Sequence, residues 1–384
     1  MYAQSGPPMV ADQPDRVGSS RQDARARPPN MPKDLIMGEN QKPDVDALRA
    51  LTDAALQRVS AAGHPNIDPL AMRLQEIDTI ALNIKFFGYD LARRLAAELP
   101  VRDNLSPRRV GLTCKPSTQA DLESDWVAYW CSQLKVPVVF HRKLWELAYV
   151  LQASRESGMI RAGARGLGFG CGQEPLASYF AGRDLKITVT DLPLDRVQSA
   201  GWERSGQHAS ALDSAFKPYL VSREQFDENV GLRYVDMNDI PPDLADFDFC
   251  WSVCALEHLG SIEKGLRFVE NSLATLRPGG LSVHTTEFNF ADDAQTIDDY
   301  PTVLYQKKHF QDLKERLGSA GHFVAPLDFD VGSKPLDRFI DLPPFKHDWP
   351  AALKEQWRDG EAHIKLSVHG FPVTCFGVIV RKSE

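Results

Sequence analysis

The chain has 384 residues, 43% hydrophobic and 25% charged, enough for a sizeable core and more than one structured unit. A formal net charge of -8 argues against a general nucleic-acid binder, because phosphate contacts need a basic face, and no apolar run reaches the roughly 18 residues of a membrane span. The six cysteines form no CxxC pair, so no metal site is expected, and the start lacks the charged and apolar regions of a secretory signal, which predicts a cytoplasmic protein.

Residues 1–43 are rich in Pro, Arg, Asp, Ser and Gln without a hydrophobic period and read as a disordered tail. From Asp44, Leu48, Leu51, Ala55 and Val59 recur at helical spacing. A longer helix follows, capped by Asp68 with Pro69 at its first position, and Leu70, Leu74, Ile77, Ile84, Leu91 and Leu95 form its apolar stripe. Leu122, Trp126, Trp130 and Leu134 mark a third helix, and residues 141–156, with Leu144, Trp145 and Leu151, a fourth. Residues 44–160 are therefore expected to be a helical N-terminal block.

From residue 161 strands alternate with helices. A short run from Arg165 enters Gly166-Leu167-Gly168-Phe169-Gly170-Cys171-Gly172, and Pro175 opens a helix to about Ala181. Residues 186–190 are a β-branched strand ending in Asp191, and 193–230 a long polar connection. Residues 232–235 make a third strand, ending in Asp236, and 247–252 a fourth. Ile262, Leu266, Val269, Leu273 and Leu276 give the next helix its buried face, and Pro278-Gly279-Gly280 is expected to stop it. A fifth strand covers 281–286, Phe310, Leu313 and Leu317 mark a further helix, and 365–368 with 373–380 read as a closing antiparallel pair. The order predicts an α/β fold with an open, mostly parallel sheet.

In such sheets ligands bind outside the carboxyl ends of the strands, here the glycine turn, Asp191, Asp236 and Ala255-Leu256-Glu257-His258. Alternating glycines let the backbone approach a ligand, and an aspartate ending the second strand offers two acceptor oxygens to a ribose, although a plain tight turn and a capping Asp give the same letters. As an ordered set these residues resemble the class I S-adenosylmethionine-dependent methyltransferases, from about Arg165 to the end of the chain. The resemblance implies a Rossmann-like methyltransferase sheet with a closing antiparallel strand over 161–384 and S-adenosyl-L-methionine as cofactor. Gly168, Gly170 and Gly172 would line its methionine and ribose side, Asp191 its ribose hydroxyls, and Asp236 with Met237 its adenine edge. The chain departs from that pattern at Gly166, where the family carries an acidic residue, and Glu174 is the nearest replacement. The stretches His141-Arg142-Lys143-Leu144-Trp145-Glu146 and Cys254-Ala255-Leu256-Glu257-His258-Leu259 also look like bacterial methyltransferases found with cell-surface glycan biosynthesis. A small-molecule or glycan acceptor and O-methylation are the expectation from that likeness.

A sulfonium methyl already has a good leaving group, so a base is needed only when the acceptor must lose a proton. His258 is the first candidate base and Glu287 the second, whereas His284, inside a strand, is expected in the core. Arg142 and Lys143 beside Trp145 suit a polar or anionic acceptor, against the plainer reading of Trp126, Trp130 and Trp145 as core. Asp341-Leu342-Pro343-Pro344-Phe345 resembles the short motif of enzymes that methylate amino groups of DNA bases, but lies too far along the chain and reads as a proline-rich loop. A nicotinamide-dependent oxidoreductase needs a glycine where Gln173 stands, and a non-catalytic, degenerate cofactor-binding module is the remaining alternative.

Overall fold

The computed structural model describes residues 69–192, 212–345, 355 and 360–384, so the expected tail, the helix at 44–59 and much of the 193–230 connection lie outside the described residues. The chain divides into two compact units, Met1–Met72 and Arg73–Glu384. Of the first only residues 69–72 are described, as the opening turn of a helix. The second holds the sheet together with the helices between 119 and 156. No helix among the described residues is long and apolar enough to cross a membrane.

Helix α1 (Pro69–Ala97) has the expected length but not the expected inner face. Ala81, Lys85, Tyr89 and Ala92 are buried, whereas Ile77 of the predicted stripe is 53% exposed and Leu91 38%. The small residues let the helix approach closely: a Cβ on Gly88 would lie 2.2 Å from the Phe339 ring. The predicted third helix is two, α2 (Gln119–Leu122) and α3 (Asp125–Leu134), because Ser124 leaves helical geometry and its hydroxyl accepts the Val127 amide. Helix α4 (Arg142–Glu156) is capped by His141, whose Nδ1 accepts the Lys143 amide at 3.1 Å, and it packs across strands of the sheet.

The strands are β1 (Lys115–Pro116), β2 (Arg165–Phe169), β3 (Lys186–Asp191), β4 (Val230–Tyr234), β5 (Phe247–Val253), β6 (Leu276–Asn289), β7 (Phe323–Val324), β8 (Ile340–Asp341), β9 (Lys365–Val368) and β10 (Phe371–Arg381). They join in the order β4-β3-β2-β5-β6-β10-β9-β8, with β1 and β7 also paired to β10. From β4 to β6 all pairs are parallel, and β10 runs antiparallel to both β6 and β9. This is the expected mostly parallel α/β sheet with a closing antiparallel strand. The connections run outward in opposite directions from β2, so the topological switch point lies at its carboxyl end, where the glycine turn begins.

The other α-helices among the described residues are α5 (Leu176–Ala181), α6 (Arg223–Asn229), α7 (Ile262–Ser272), α8 (Lys307–Ser319) and α9 (Pro335–Arg338). Helix α7 ends in a short 3-10 turn, Leu273–Thr275, and β6 begins at Leu276. Pro278-Gly279-Gly280 therefore lies within the strand rather than stopping the helix. Its extra residues form an irregularity opposite Phe247 and Phe249, with Gly279 at a φ of 71°.

Candidate functional site

The glycine turn is shaped by packing first and by backbone geometry second. A Cβ on Gly166 would lie 2.5 Å from the Phe249 ring and 2.9 Å from Ile187, its neighbours on the two flanking strands, so the sheet itself leaves no room there for an acidic side chain. A Cβ on Gly168 would meet Cys171 Sγ and Trp251 at 2.2 and 2.5 Å. Gly170 and Gly172 take φ values of 58° and 51°, the left-handed region that favours glycine. Around this turn stand the carboxyl ends of β3 and β4. Asp191, 8% exposed, accepts the Gly172 amide at 3.2 Å on one oxygen and the Leu192 amide at 2.8 Å on the other. Met237 is buried with its sulfur 3.5 Å from where a Gly170 Cβ would stand, and the neighbouring Asp236 accepts the Asn238 amide at 2.9 Å in a tight turn.

Glu174 follows the turn. Burial above all, opposed by Lys143 and reinforced by Glu146 and Asp191, pushes its carboxyl well above the usual range. The Trp251 indole N–H acts on the same carboxyl and lowers it in part, although in strict hydrogen-bond geometry neither Glu174 Oε2 nor Trp251 Nε1 has a partner among the described residues. Two of the charges acting on Glu174, those of Lys143 and Glu146, belong to a second group of side chains, so turn and group lie within electrostatic reach of one another.

That group gathers beyond β5, on β6 and β10, and at the start of α4. Arg142 Nη1 donates to Glu287 Oε1 and lies 3.2 Å from Cys375 Sγ. Glu146, fully buried, accepts from the Cys375 thiol at 2.9 Å and from the Thr285 hydroxyl, with Lys143 Nζ 3.4 Å away. Burial would raise its pKa, but Lys143 and Arg142 hold it below the usual value. Cys254, at a φ of 43°, places its sulfur 3.6 Å from that of Cys375 and 3.9 Å from Glu287 Oε1. Glu257 accepts the Thr286 hydroxyl at 3.0 Å, and burial together with the Glu287 charge pushes its pKa up to about 8. Among the described residues Glu257 Oε1, Glu287 Oε2 and Arg142 Nε are buried without partners.

The structure thus gathers Gly170, Gly172, Asp191 and Met237 at the turn, and Arg142 with Glu287 in the second group. Arg142 is not an open basic residue, since its side chain is 13% exposed and ion-paired, and Glu287 correspondingly has one oxygen occupied. Trp145 is a core residue rather than a pocket wall: it is fully buried, donates its indole N–H to Asp121 at 2.9 Å and stacks on Tyr149. Trp126 and Trp130 are buried as well. His258 closes a 3-10 turn, Leu256–His258, and pairs Nδ1 with the Pro301 carbonyl at 3.0 Å, which assigns the proton to Nδ1. Burial lowers its pKa to about 4, so it is neutral at pH 7 but a weak base. His284 lies in the core as expected, between Ser252 at 2.8 Å and Ser282 at 2.7 Å.

A third group escaped the sequence reading. Asp341, read as part of a loop, is fully buried and receives Lys85 Nζ at 2.7 Å, the Tyr89 hydroxyl at 2.7 Å and His363 Nδ1 at 2.8 Å. The His363 carbonyl accepts the Arg142 amide at 3.0 Å, tying this network to the start of α4. A lysine and a tyrosine four residues apart on one helix face were the available signal.

No protein-family model and no curated protein sequence matches the chain. Among solved structures it is similar to a candidate sarcosine dimethylglycine methyltransferase from Galdieria sulphuraria, at 14% identity over 68% of this chain and 99% of that one, TM-score 0.39. It is also similar to the 4+2 cyclase SpnF, at 17% over 71% and 99%, TM-score 0.38, and to a SAM-dependent methyltransferase from Aquifex aeolicus, at 16% over 60% and 88%, TM-score 0.31. Likeness at this level carries no argument about fold or chemistry.

Proposed function

We propose that the chain transfers a methyl group from S-adenosylmethionine to a small-molecule or glycan acceptor, by O-methylation. The observation that carries this reading is the pairing of left-handed Gly170 and Gly172 with the Asp191 carboxylate, 3.2 Å from the Gly172 amide, at the switch point of the parallel sheet. The cofactor's groups fit these residues. A ribose diol matches a carboxylate held by backbone amides, Met237 offers apolar surface to a purine, and a cofactor ammonium would offset the burial that holds the Glu174 carboxyl well above the usual range.

When bound, the cofactor supplies an electrophilic methyl group on a leaving group that departs readily. The chain's own contribution is then positioning and the exclusion of water. Asp191 would orient the ribose, Gly170 and Gly172 would let the backbone approach, and Asp236 with Met237 would border the adenine, whereas Gly168, expected to line the cofactor, instead makes room for Cys171 and Trp251. Arg142 and Lys143 bring positive charge to the acceptor side. His258, protonated at Nδ1 and with Nε2 3.9 Å from Glu257 Oε1, is the first candidate to accept the proton of an acceptor hydroxyl, with Glu287 the second.

One observation favours a second reading, a cofactor-binding module without turnover. His258 has a pKa of about 4 and Glu287 is bound by Arg142, so neither candidate base is strongly basic and open. Isothermal titration of the full chain with S-adenosylmethionine and with NAD, followed by assay of S-adenosylhomocysteine formation in the presence of cell extract, separates the cases. Tight binding with turnover is expected. Binding without turnover means the module, and binding of NAD alone would overturn both readings.

A further inference from the structure

We propose that Cys254, Cys375 and Glu146 bind a zinc ion. The inference does not depend on methyl transfer. The ligand atoms of Glu146, Cys254 and Cys375 lie within 4.8 Å of one another, and so do those of Cys254, Glu257 and Glu287, so Cys254 is shared by two overlapping groups. Two thiolates with a carboxylate are a donor set that suits zinc. In a tetrahedral site with Zn–S bonds of about 2.3 Å the two sulfurs stand about 3.8 Å apart. They stand 3.6 Å apart here. A disulfide would need them to close to about 2.05 Å.

The ligands are supplied by elements that are already fixed. Cys375 lies opposite Glu287 in the β10–β6 register, Glu146 lies fully buried on α4, and Cys254 follows β5 in a left-handed conformation unusual for a non-glycine residue. Beside Cys254, Glu257 Oε1 and Glu287 Oε2 are buried acceptors without hydrogen-bond partners among the described residues, the former 3.9 Å from His258 Nε2. The charges also close. Arg142 offsets Glu287 and Lys143 offsets Glu146, and exchanging two thiol protons for one Zn²⁺ leaves that balance unchanged. Loading is Zn²⁺ plus two thiols giving two Zn–S bonds and two released protons, with no change of oxidation state. The cysteines are 121 residues apart, so no local spacing rule finds them.

The test uses the full chain, reduced and stripped with a chelator. Titration with Zn²⁺ should load one equivalent and release two protons, and titration with Co²⁺ should give the near-ultraviolet thiolate charge-transfer band and the visible bands of tetrahedral cobalt. Cys375→Ser should weaken zinc binding by at least the roughly 10–100-fold that loss of an outer-shell partner costs, whereas Cys131→Ser, in α3, should retain it. Should Cys375→Ser fail to fold, differential alkylation of the wild-type chain decides: zinc should slow labelling of Cys254 and Cys375 and of no other cysteine. Cobalt uptake without a thiolate band, unchanged alkylation, or a metal-free protein two hydrogens lighter with Cys254 and Cys375 joined would each overturn the proposal.

Discussion

Among the buried histidines that should destabilise this protein on acidification, His284 makes a separable contribution. It is fully buried on β6, bonded at Nδ1 to Ser252 and at Nε2 to Ser282, with the Phe268 ring against it at 5.1 Å. None of these neighbours can offset an imidazolium, and burial lowers the pKa from 6.5 to about 3. The unfolded chain takes up this proton near pH 6.5, whereas the folded chain refuses it until about pH 3. The unfolded state therefore binds more protons between those values, and the contribution is fully present above 6.5 and lost as the pH falls. At 1.36 kcal/mol per pH unit, the loss is about 2 kcal/mol at pH 5 and on the order of 5 kcal/mol by pH 3. Urea unfolding of the wild type and of His284→Gln, in steps from pH 7.5 to 5, isolates the effect because the chain's other nine of 10 histidines cancel in the difference. The variant should be weaker at neutral pH but shallower in its pH dependence, by nearly one proton. Parallel curves would refute the reasoning.

Other outcomes follow from the same contacts. Asp191→Ala should weaken S-adenosylmethionine binding by about 1–3 kcal/mol in a calorimetric titration, as expected for a lost charged acceptor, and unchanged affinity in a folded variant would remove the ribose assignment. Lys85→Met leaves Asp341 buried without its cation and should cost about 3–5 kcal/mol in urea unfolding; a loss below about 1 kcal/mol would mean that Tyr89 and His363 satisfy the carboxylate alone. His258→Ala should lower turnover with little change in cofactor affinity, and the acid limb of the wild-type rate should fall near pH 4 instead of 6.5. An equal fall in cofactor affinity would assign the residue to cofactor contact.

The strands were legible because short β-branched runs end in glycine or aspartate, a local signal that tertiary packing reinforced. The buried face of α1 was not. Counting apolar residues selects Ile77 and Leu91, but the close approach of Phe339 selects small residues, and the Asp341 network selects Lys85 and Tyr89. The meaning of Gly166 was equally hidden, because its cause is the Phe249 ring on a strand more than eighty residues away, known only once β2 and β5 are paired. The glycine turn and Asp191 were found because they are separated by one strand-to-strand connection. The Cys254, Cys375, Glu146 and Glu287 group was not, since each member comes from a different element and carries no pattern of its own.

The place of β10 has a bearing on how the chain reaches this state. It pairs with β1, β6, β7 and β9, and it follows all four in the sequence. During synthesis the 14-residue β6, almost wholly apolar or buried beyond its first turn, keeps an open edge while everything between Asn289 and Phe371 is made. Unsatisfied edges of that length recruit other chains. Nascent copies on one message are thus the most dangerous partners, and yield in heterologous production should depend on holdase capacity and slow initiation more than on the stability of the finished protein.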